Sequence, residues 1–206
     1  KEKDKLDENN KNIPVIIPAA GEEPFLSPIL DGKPKPMLEI AGKTILSWQV
    51  NTLNNNNLTD ITVIVGHASD KMEAEGIIMQ ENKNYKKGSE LHSLIDAQKK
   101  MVNGFIMLYS DILLEEHIMA KLLTCQEDIV LVVDNTIQYH APEANKVQDF
   151  VISKNKHHLT RRKISFVCEN IVSKIGSKLN PETVTHEFIG LAKFTKNGSE
   201  QFLKTY

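Results

Sequence analysis

Residues 13–21 read Ile-Pro-Val-Ile-Ile-Pro-Ala-Ala-Gly. A short apolar run that ends at once in small residues is the mark of a buried strand delivering its chain into a tight turn. The same unit recurs downstream, with strands expected at Val15–Pro18, Ile61–Val65, Ile77–Met79, Gly104–Tyr109 and Ile129–Val133. Between them lie stretches with apolar residues at helical spacing, which predict helices over Ile45–Leu53, Glu90–Met101 and Glu115–Leu123. Strand followed by helix, repeatedly, makes an α/β fold whose sheet is largely parallel and covered by helices. Beyond Asp134 the pattern becomes irregular. Strands are expected at Phe150–Ile152, Ile164–Cys168 and Ile171–Ile175, then an apolar run Phe188–Phe194 and a last helix after Asn197. This half reads as an acceptor-side elaboration of the same domain.

Composition narrows the functional classes. The chain has 206 residues, 40% hydrophobic and 25% charged, which suits one globular α/β domain. Its 25 Lys and Arg nearly balance 27 Asp and Glu, so the strongly basic footprint of a nucleic-acid binder is missing. No apolar run approaches the length of a membrane span, and no signal-peptide pattern opens the chain, so a cytoplasmic protein is expected. Cys125 and Cys168 lack metal-ligand spacing and are expected to be buried thiols in a reducing compartment. Residues 1–12 carry Leu6 as their lone core-forming apolar residue and read as a charged linker or tail, with the domain proper over 13–206. The chain does not begin with Met, and it is expected to be a piece of something longer.

In an open α/β sheet, ligands bind beyond the carboxyl ends of the strands, so the residues that follow each strand are the candidates. Pro18-Ala19-Ala20-Gly21 is a turn whose small side chains let backbone N–H groups approach a phosphate or a base edge. In Lys33-Pro34-Lys35-Pro36-Met37-Leu38 the prolines are expected to hold two lysines in an extended segment. A lysine fixed there could bind an α-phosphate and stabilise charge as pyrophosphate leaves. Ser110-Asp111 closes the run Phe105-Ile106-Met107-Leu108-Tyr109, which places a carboxylate where Mg²⁺ bridging phosphate oxygens would be held. Taken singly, each has a plainer explanation: a common small turn, a solvated basic loop, and an Asp that starts a turn.

Taken together and in this order, they resemble a family. Ile-Pro-Ala-Ala-Gly, then Lys-Pro-Lys-Pro-Met-Leu-Glu-Ile-Ala-Gly-Lys-Thr-Ile-Leu, then a strand ending Tyr-Ser-Asp is similar to the nucleotidyltransferases of the nucleotide-sugar pyrophosphorylase fold. The stretches Gln80-Glu81-Asn82 with Tyr85, Gly88-Ser89-Glu90-Leu91-His92-Ser93-Leu94, Val132-Val133-Asp134 and Glu187-Phe188-Ile189-Gly190-Leu191 resemble the phosphonate and phosphocholine cytidylyltransferases. Those include domains fused to phosphoenolpyruvate phosphomutase, so a fused phosphomutase or other domain is among the expected partners. The resemblance implies a Rossmann-like three-layer sandwich with a predominantly parallel mixed sheet, as in nucleotide-diphospho-sugar transferases. It implies that Pro18, Ala19, Ala20 and Gly21 hold the base and phosphates, that Lys35 binds the α-phosphate, that Asn82, Ser89 and Glu90 line the nucleotide pocket, and that Asp111 ligates Mg²⁺. The implied reaction is cytidylyl transfer from CTP to a small phosphonate such as 2-aminoethylphosphonate, a step of phosphonate biosynthesis, with Lys35 and Asp111 as catalytic residues. Phosphocholine or sugar-phosphate nucleotidyl transfer, or a non-catalytic nucleotide-binding domain, are the alternatives.

Two departures bear on this. Relatives of this kind continue the first turn as Gly-x-Gly-x-Arg, whereas this chain runs Gly21-Glu22-Glu23-Pro24-Phe25 with no Arg before Lys33. Two carboxylates beside a triphosphate repel it unless a metal or a lysine intervenes. The family's second metal-binding Asp lies in a segment downstream of the Glu-Phe-Ile-Gly-Leu strand, and the sequence given ends at Tyr206, so the expectation is either a truncated chain or a missing second ligand. The cluster of His157-His158 and Arg161-Arg162-Lys163 reads as a solvated loop, and the remaining histidines lack ligand spacing. Gly-x-Ser-x-Gly is absent, so hydrolase chemistry finds no support.

Overall fold

The computed structural model describes residues 13–87, 90–136, 148–154 and 170–205, with backbone alone at residues 87, 90 and 91. In chain order the elements are β1 (Val15–Ala19), α1 (Ser27–Leu30), β2 (Glu39–Ile40), β3 (Lys43–Thr44), α2 (Ile45–Asn55), β4 (Ile61–Val65), β5 (Ile78–Glu81), α3 (Glu90–Ile95), α4 (Gln98–Met101), β6 (Phe105–Leu108), α5 (Glu116–Thr124), β7 (Ile129–Asp134), β8 (Phe150–Ser153), β9 (Val172–Gly176), β10 (His186–Phe194) and α6 (Lys196–Thr205). They separate into two compact units, one of Lys1–Val130 with Ala192–Tyr206, the other of Leu131–Leu191.

The first unit is built on β1. This strand runs parallel to β4, from Val15 opposite Ile61 to Ala19 opposite Val65, and parallel to β6 on its other side, with Val15 opposite Ile106. β5 adds parallel to β4, giving the order β5-β4-β1-β6. Every residue of β1, β4 and β6 is buried, which is why these strands read as near-continuous apolar runs, interrupted by Thr62 in β4, rather than as alternating ones. The chain folds as a Rossmann-like α/β protein with a mostly parallel sheet, the class that the strand-helix alternation predicts.

Local chemistry explains most of the boundaries. α2 starts where Thr44 turns extended and its hydroxyl accepts a hydrogen bond from Ser47 N at 3.1 Å, an N-cap. It buries Ile45, Leu46, Gln49, Val50 and Leu53, the expected stripe with one amide in it. β2 and β3 form a small antiparallel hairpin whose turn residues, Ala41 and Gly42, both have positive φ. That geometry belongs to a type I′ turn, and Ala in its first position is a weak signal for it. The single helix expected over Glu90–Met101 is instead α3 and α4, broken between Ile95 and Gln98. The Asp96 carbonyl accepts from the Gln80 side chain, a partner on β5 that replaces the continuing helical bond. The Lys33–Leu38 segment also differs from its expected extended form. Pro34 is extended, but Lys35–Met37 is a 3₁₀ turn closed by Met37 N donating to Pro34 O at 2.9 Å and Leu38 N to Lys35 O at 3.0 Å. Pro36 fits inside that first turn because the N–H it lacks would have no partner there.

Phe105 of β6 stacks on Phe194 at 4.4 Å between centroids, and Phe202 of α6 tilts against both rings. In the second unit β8 pairs antiparallel with β9 and with the start of β10, His186 lying opposite Val151. The strand expected at Ile164–Cys168 lies outside the described residues. Cys125 is buried, and Cys168 lies outside the described residues. Among the described residues no helix is long and apolar enough to cross a membrane. Phe105 is fully buried, so Phe105→Ala should lower stability by about 3–5 kcal/mol. Chemical denaturation of the variant checks this, and a loss under about 1 kcal/mol would contradict the packing described.

Candidate functional site

Parallel strands place all their carboxyl ends on one edge, so β1, β4, β5 and β6 bring the Ala20-Gly21 turn, Gly66-His67, Asn82 and Tyr109-Ser110-Asp111 to the same side of the first unit. Lys35 enters this edge from its 3₁₀ turn, where Pro36 and Met37 are buried and hold the backbone. Its ammonium is the centre of the site. Lys35 Nζ donates to Glu23 Oε1 at 2.5 Å and to Asp111 Oδ2 at 3.0 Å. The Lys35 side chain is 15% exposed, against 33% for Glu23 and 40% for Asp111. Burial pulls the Lys35 pKa down, but the hydrogen bond to Glu23 and the charges of Asp111 and Glu23 outweigh it and hold the ammonium above its ordinary value of 10.5.

The turn after β1 is packed from behind. Pro18, Ala19 and Ala20 are buried, and Ala20 O accepts from His67 N at 3.0 Å. A Cβ added at Gly66 would meet Ala20 O and Tyr85 Cγ at 2.8 Å, whereas one added at Gly21 would meet nothing within 4 Å. The glycine that the turn sterically requires is therefore Gly66, which the sequence reading passed over, while Gly21 faces open space. Glu22 reaches across to the loops after β4 and β5: its Oε1 lies 3.4 Å from Lys86 Nζ and 3.6 Å from His67 Nδ1, with Tyr85 Oη donating at 3.5 Å. The two carboxylates that look hostile to an anion thus each have a cationic neighbour.

The other sequence candidates fall differently. Asn82 is buried with its amide engaged in the fold: Nδ2 donates to Ser93 Oγ at 3.0 Å and Oδ1 accepts from Asn84 N at 2.8 Å. Glu90 opens α3, and Ser89 lies outside the described residues, as do His157, His158 and the Arg161–Lys163 cluster. Lys33 is half exposed and sits 3.9 Å from Glu39, apart from the Lys35 contacts. Glu23 was legible in the sequence as a departure but not as a partner of Lys35, and Gln49, which contacts the Asp111 turn, carried no sequence signal beyond a polar residue in an apolar stripe.

A divalent cation fits this donor set in a limited way. Glu23 Oε1 and Asp111 Oδ2 already converge on one positive charge, and both are hard oxygen donors. Among the described residues no group of three or more His, Cys, Asp or Glu side chains could hold a metal. Mg²⁺ is commonly bound by one or two carboxylates plus substrate phosphates and water, so two protein oxygens match that ion better than one needing a full protein cage.

The family model of the MobA-like NTP transferase domain matches residues 15–167. The CTP:phosphoglutamine cytidylyltransferase of Campylobacter jejuni is 26% identical over 204 residues, covering 91% of this chain and 74% of its own length. The choline-phosphate cytidylyltransferase of Streptococcus pneumoniae is 22% identical over 182 residues, 85% of this chain and 79% of that protein. The bifunctional IPC transferase and DIPP synthase of Rubrobacter xylanophilus is 31% identical over 125 residues, 57% of this chain but 28% of that longer protein. Among solved structures, the inositol-1-phosphate CTP transferase from T. maritima superposes with a TM-score of 0.67 over 92% of this chain and 73% of its own, at 18% identity.

Because both carboxylates hold the Lys35 proton, Glu23→Gln should lower the Lys35 pKa, read from the pH dependence of its side-chain NMR signal. An unchanged titration would contradict the 2.5 Å contact. The sign follows from linkage: a folded-state pKa above 10.5 means that the stability Lys35 contributes is fully present below 10.5 and is lost as pH rises through the higher folded value.

Proposed function

The chain belongs to the MobA-like NTP transferase family and is a nucleotidyltransferase, and we propose that it transfers a cytidylyl group from CTP to a small phosphonate such as 2-aminoethylphosphonate, releasing pyrophosphate. Residues 13–206 form the transferring domain in this proposal. The observation that carries it is the Lys35 ammonium, held between Glu23 and Asp111 at the carboxyl edge of the parallel strands. CTP as donor is supported by the names of three relatives, each a CTP or choline-phosphate cytidylyl enzyme. The phosphonate acceptor rests on the resemblance at Gly88–Leu94 and Glu187–Leu191.

In the proposed reaction an acceptor phosphonate oxygen attacks the α-phosphorus in line, a new P–O bond forms, and the bond to the β-phosphate oxygen breaks. The nucleophile is already anionic, so no protein base is required. Lys35 leaves Glu23 and donates to a non-bridging α-phosphate oxygen, where negative charge grows in the transition state. Its half-buried position makes that interaction stronger than it would be in water. The turn of Ala19, Ala20 and Gly21 offers backbone N–H groups to the nucleotide, with the open space over Gly21 leaving room for it. When bound, Mg²⁺ would be held by Asp111, with Glu23 in reach, and would neutralise phosphate charge. A phosphate monoester acceptor is the second reading, favoured by the phosphorylated acceptors for which the cytidylyltransferase relatives are named.

Pyrophosphate release, measured with each nucleoside triphosphate in the presence of 2-aminoethylphosphonate, phosphocholine or glucose 1-phosphate, separates these. Release with CTP and 2-aminoethylphosphonate is expected. Release confined to phosphocholine would move the reading to its second form, and release with UTP and glucose 1-phosphate alone would sink it. Lys35→Ala should reduce turnover by about 10²–10³-fold with the fold intact, in line with loss of one charge-stabilising donor.

A further inference from the structure

Among the residues that α2 buries, Gln49 is the polar exception, 1% exposed in a row of Ile45, Leu46, Val50 and Leu53. A primary amide in such a place is unfavourable unless its hydrogen-bonding groups are used. Gln49 spends its donors on one target: Nε2 donates to Tyr109 O at 2.7 Å and to Ile112 O at 2.8 Å. Those carbonyls bracket Ser110 and Asp111, so one rigid amide ties down both ends of the turn that carries the carboxylate. Its Oε1 is buried with no partner among the described residues, so the two donated bonds are the side chain's whole polar gain at this position. Ser110 is buried within the turn, while Asp111 projects to Lys35. The mount for this clamp is stiff. α2 is capped by Thr44 at its start, and near its end Asn55 donates to Glu116 at the start of α5, the helix that follows the same loop.

We infer that Gln49 is a positioning residue for Asp111, setting the place of its carboxylate through the backbone of the Tyr109–Ile112 turn. The inference rests on the reading of Asp111 as the metal-holding carboxylate. Mg²⁺ tolerates little departure from octahedral geometry, so a donor oxygen on a loosened turn binds it more weakly although its chemistry is unchanged. A purely structural amide would lower the melting temperature and leave metal affinity alone.

The test uses the full chain loaded with a non-hydrolysable CTP analogue and titrated with Mn²⁺ by calorimetry, well below each variant's Tm. Gln49→Leu removes the donors at similar volume, and Gln49→Asn, the milder change, keeps the amide but withdraws it by one methylene. Both are expected to weaken Mn²⁺ binding by about 10–100-fold, with analogue affinity in the absence of metal unchanged. The Mg²⁺ concentration for half-maximal pyrophosphate release should rise in parallel. Wild-type Mn²⁺ affinity in both Gln49 variants, alongside a weakened Asp111→Asn, would overturn this inference and leave the reading of Asp111 standing. Wild-type Mn²⁺ affinity in Asp111→Asn would overturn that reading itself.

Discussion

A single ammonium, 15% exposed, holds together the pieces of this site. A cation taken that far out of water is costly unless it is paired and hydrogen-bonded, and Lys35 meets the condition with two carboxylates from segments far apart in the chain. Glu23 comes from the turn after β1 and Asp111 from the turn after β6, 12 and 76 residues away in sequence. The pairing does more than stabilise. It brings the turn after the first strand, the 3₁₀ segment and the turn after β6 to a common point, and it keeps the lysine charged. In the proposed reaction a phosphate entering at Lys35 would compete with a carboxylate already in contact, so its binding would be an exchange of partners rather than the filling of an empty slot.

That point is placed by the sheet beneath it. β1, β4 and β6 have no solvated face, and their parallel register leaves their loops little freedom about which edge they occupy. The turn after β1 is further fixed by Gly66, where the chain after β4 passes so close to Ala20 that a methyl group would not fit. The polar groups of the edge are therefore mounted on an apolar platform and wedged from behind, an arrangement suited to holding donors still while charge moves.

The parts of this that sequence could express were those with local signatures. Near-continuous apolar runs marked Val15–Ala19 and Ile61–Val65 because burial on both faces removes any need for alternation, and helical spacing marked α2 and α5 for the same energetic reason. Lys35 and Asp111 could be picked out because strand ends and prolines are visible in one dimension. Their contact was not, nor was the Glu23 partner, since ion pairing depends on distances between loops. The break between α3 and α4 was hidden likewise, for it is made by the Gln80 side chain reaching Asp96 O from another element. Gln49 was silent because periodicity scores a polar residue in a buried stripe as noise, although its two carbonyl contacts give it a definite use.

The charges of the edge, counted together, decide what it can accept. Glu22, Glu23 and Asp111 face Lys35 and Lys86, with His67 beside Glu22, so the carboxylates are answered by lysines already in place. Where an arginine after the first turn would leave cationic charge to spare, this chain has spent its lysines on its own acids. Among the described residues, a triphosphate arriving alone would find no surplus positive charge here, and Glu23 would repel it as soon as Lys35 turned away. In the proposed reaction Glu23 and Asp111 would hold a divalent cation arriving with the nucleotide, and Lys35, released from them, would donate to the phosphate. In that reaction the Glu22-Glu23 turn, with no Arg before Lys33, would make admission of the nucleotide depend on the metal that accompanies it.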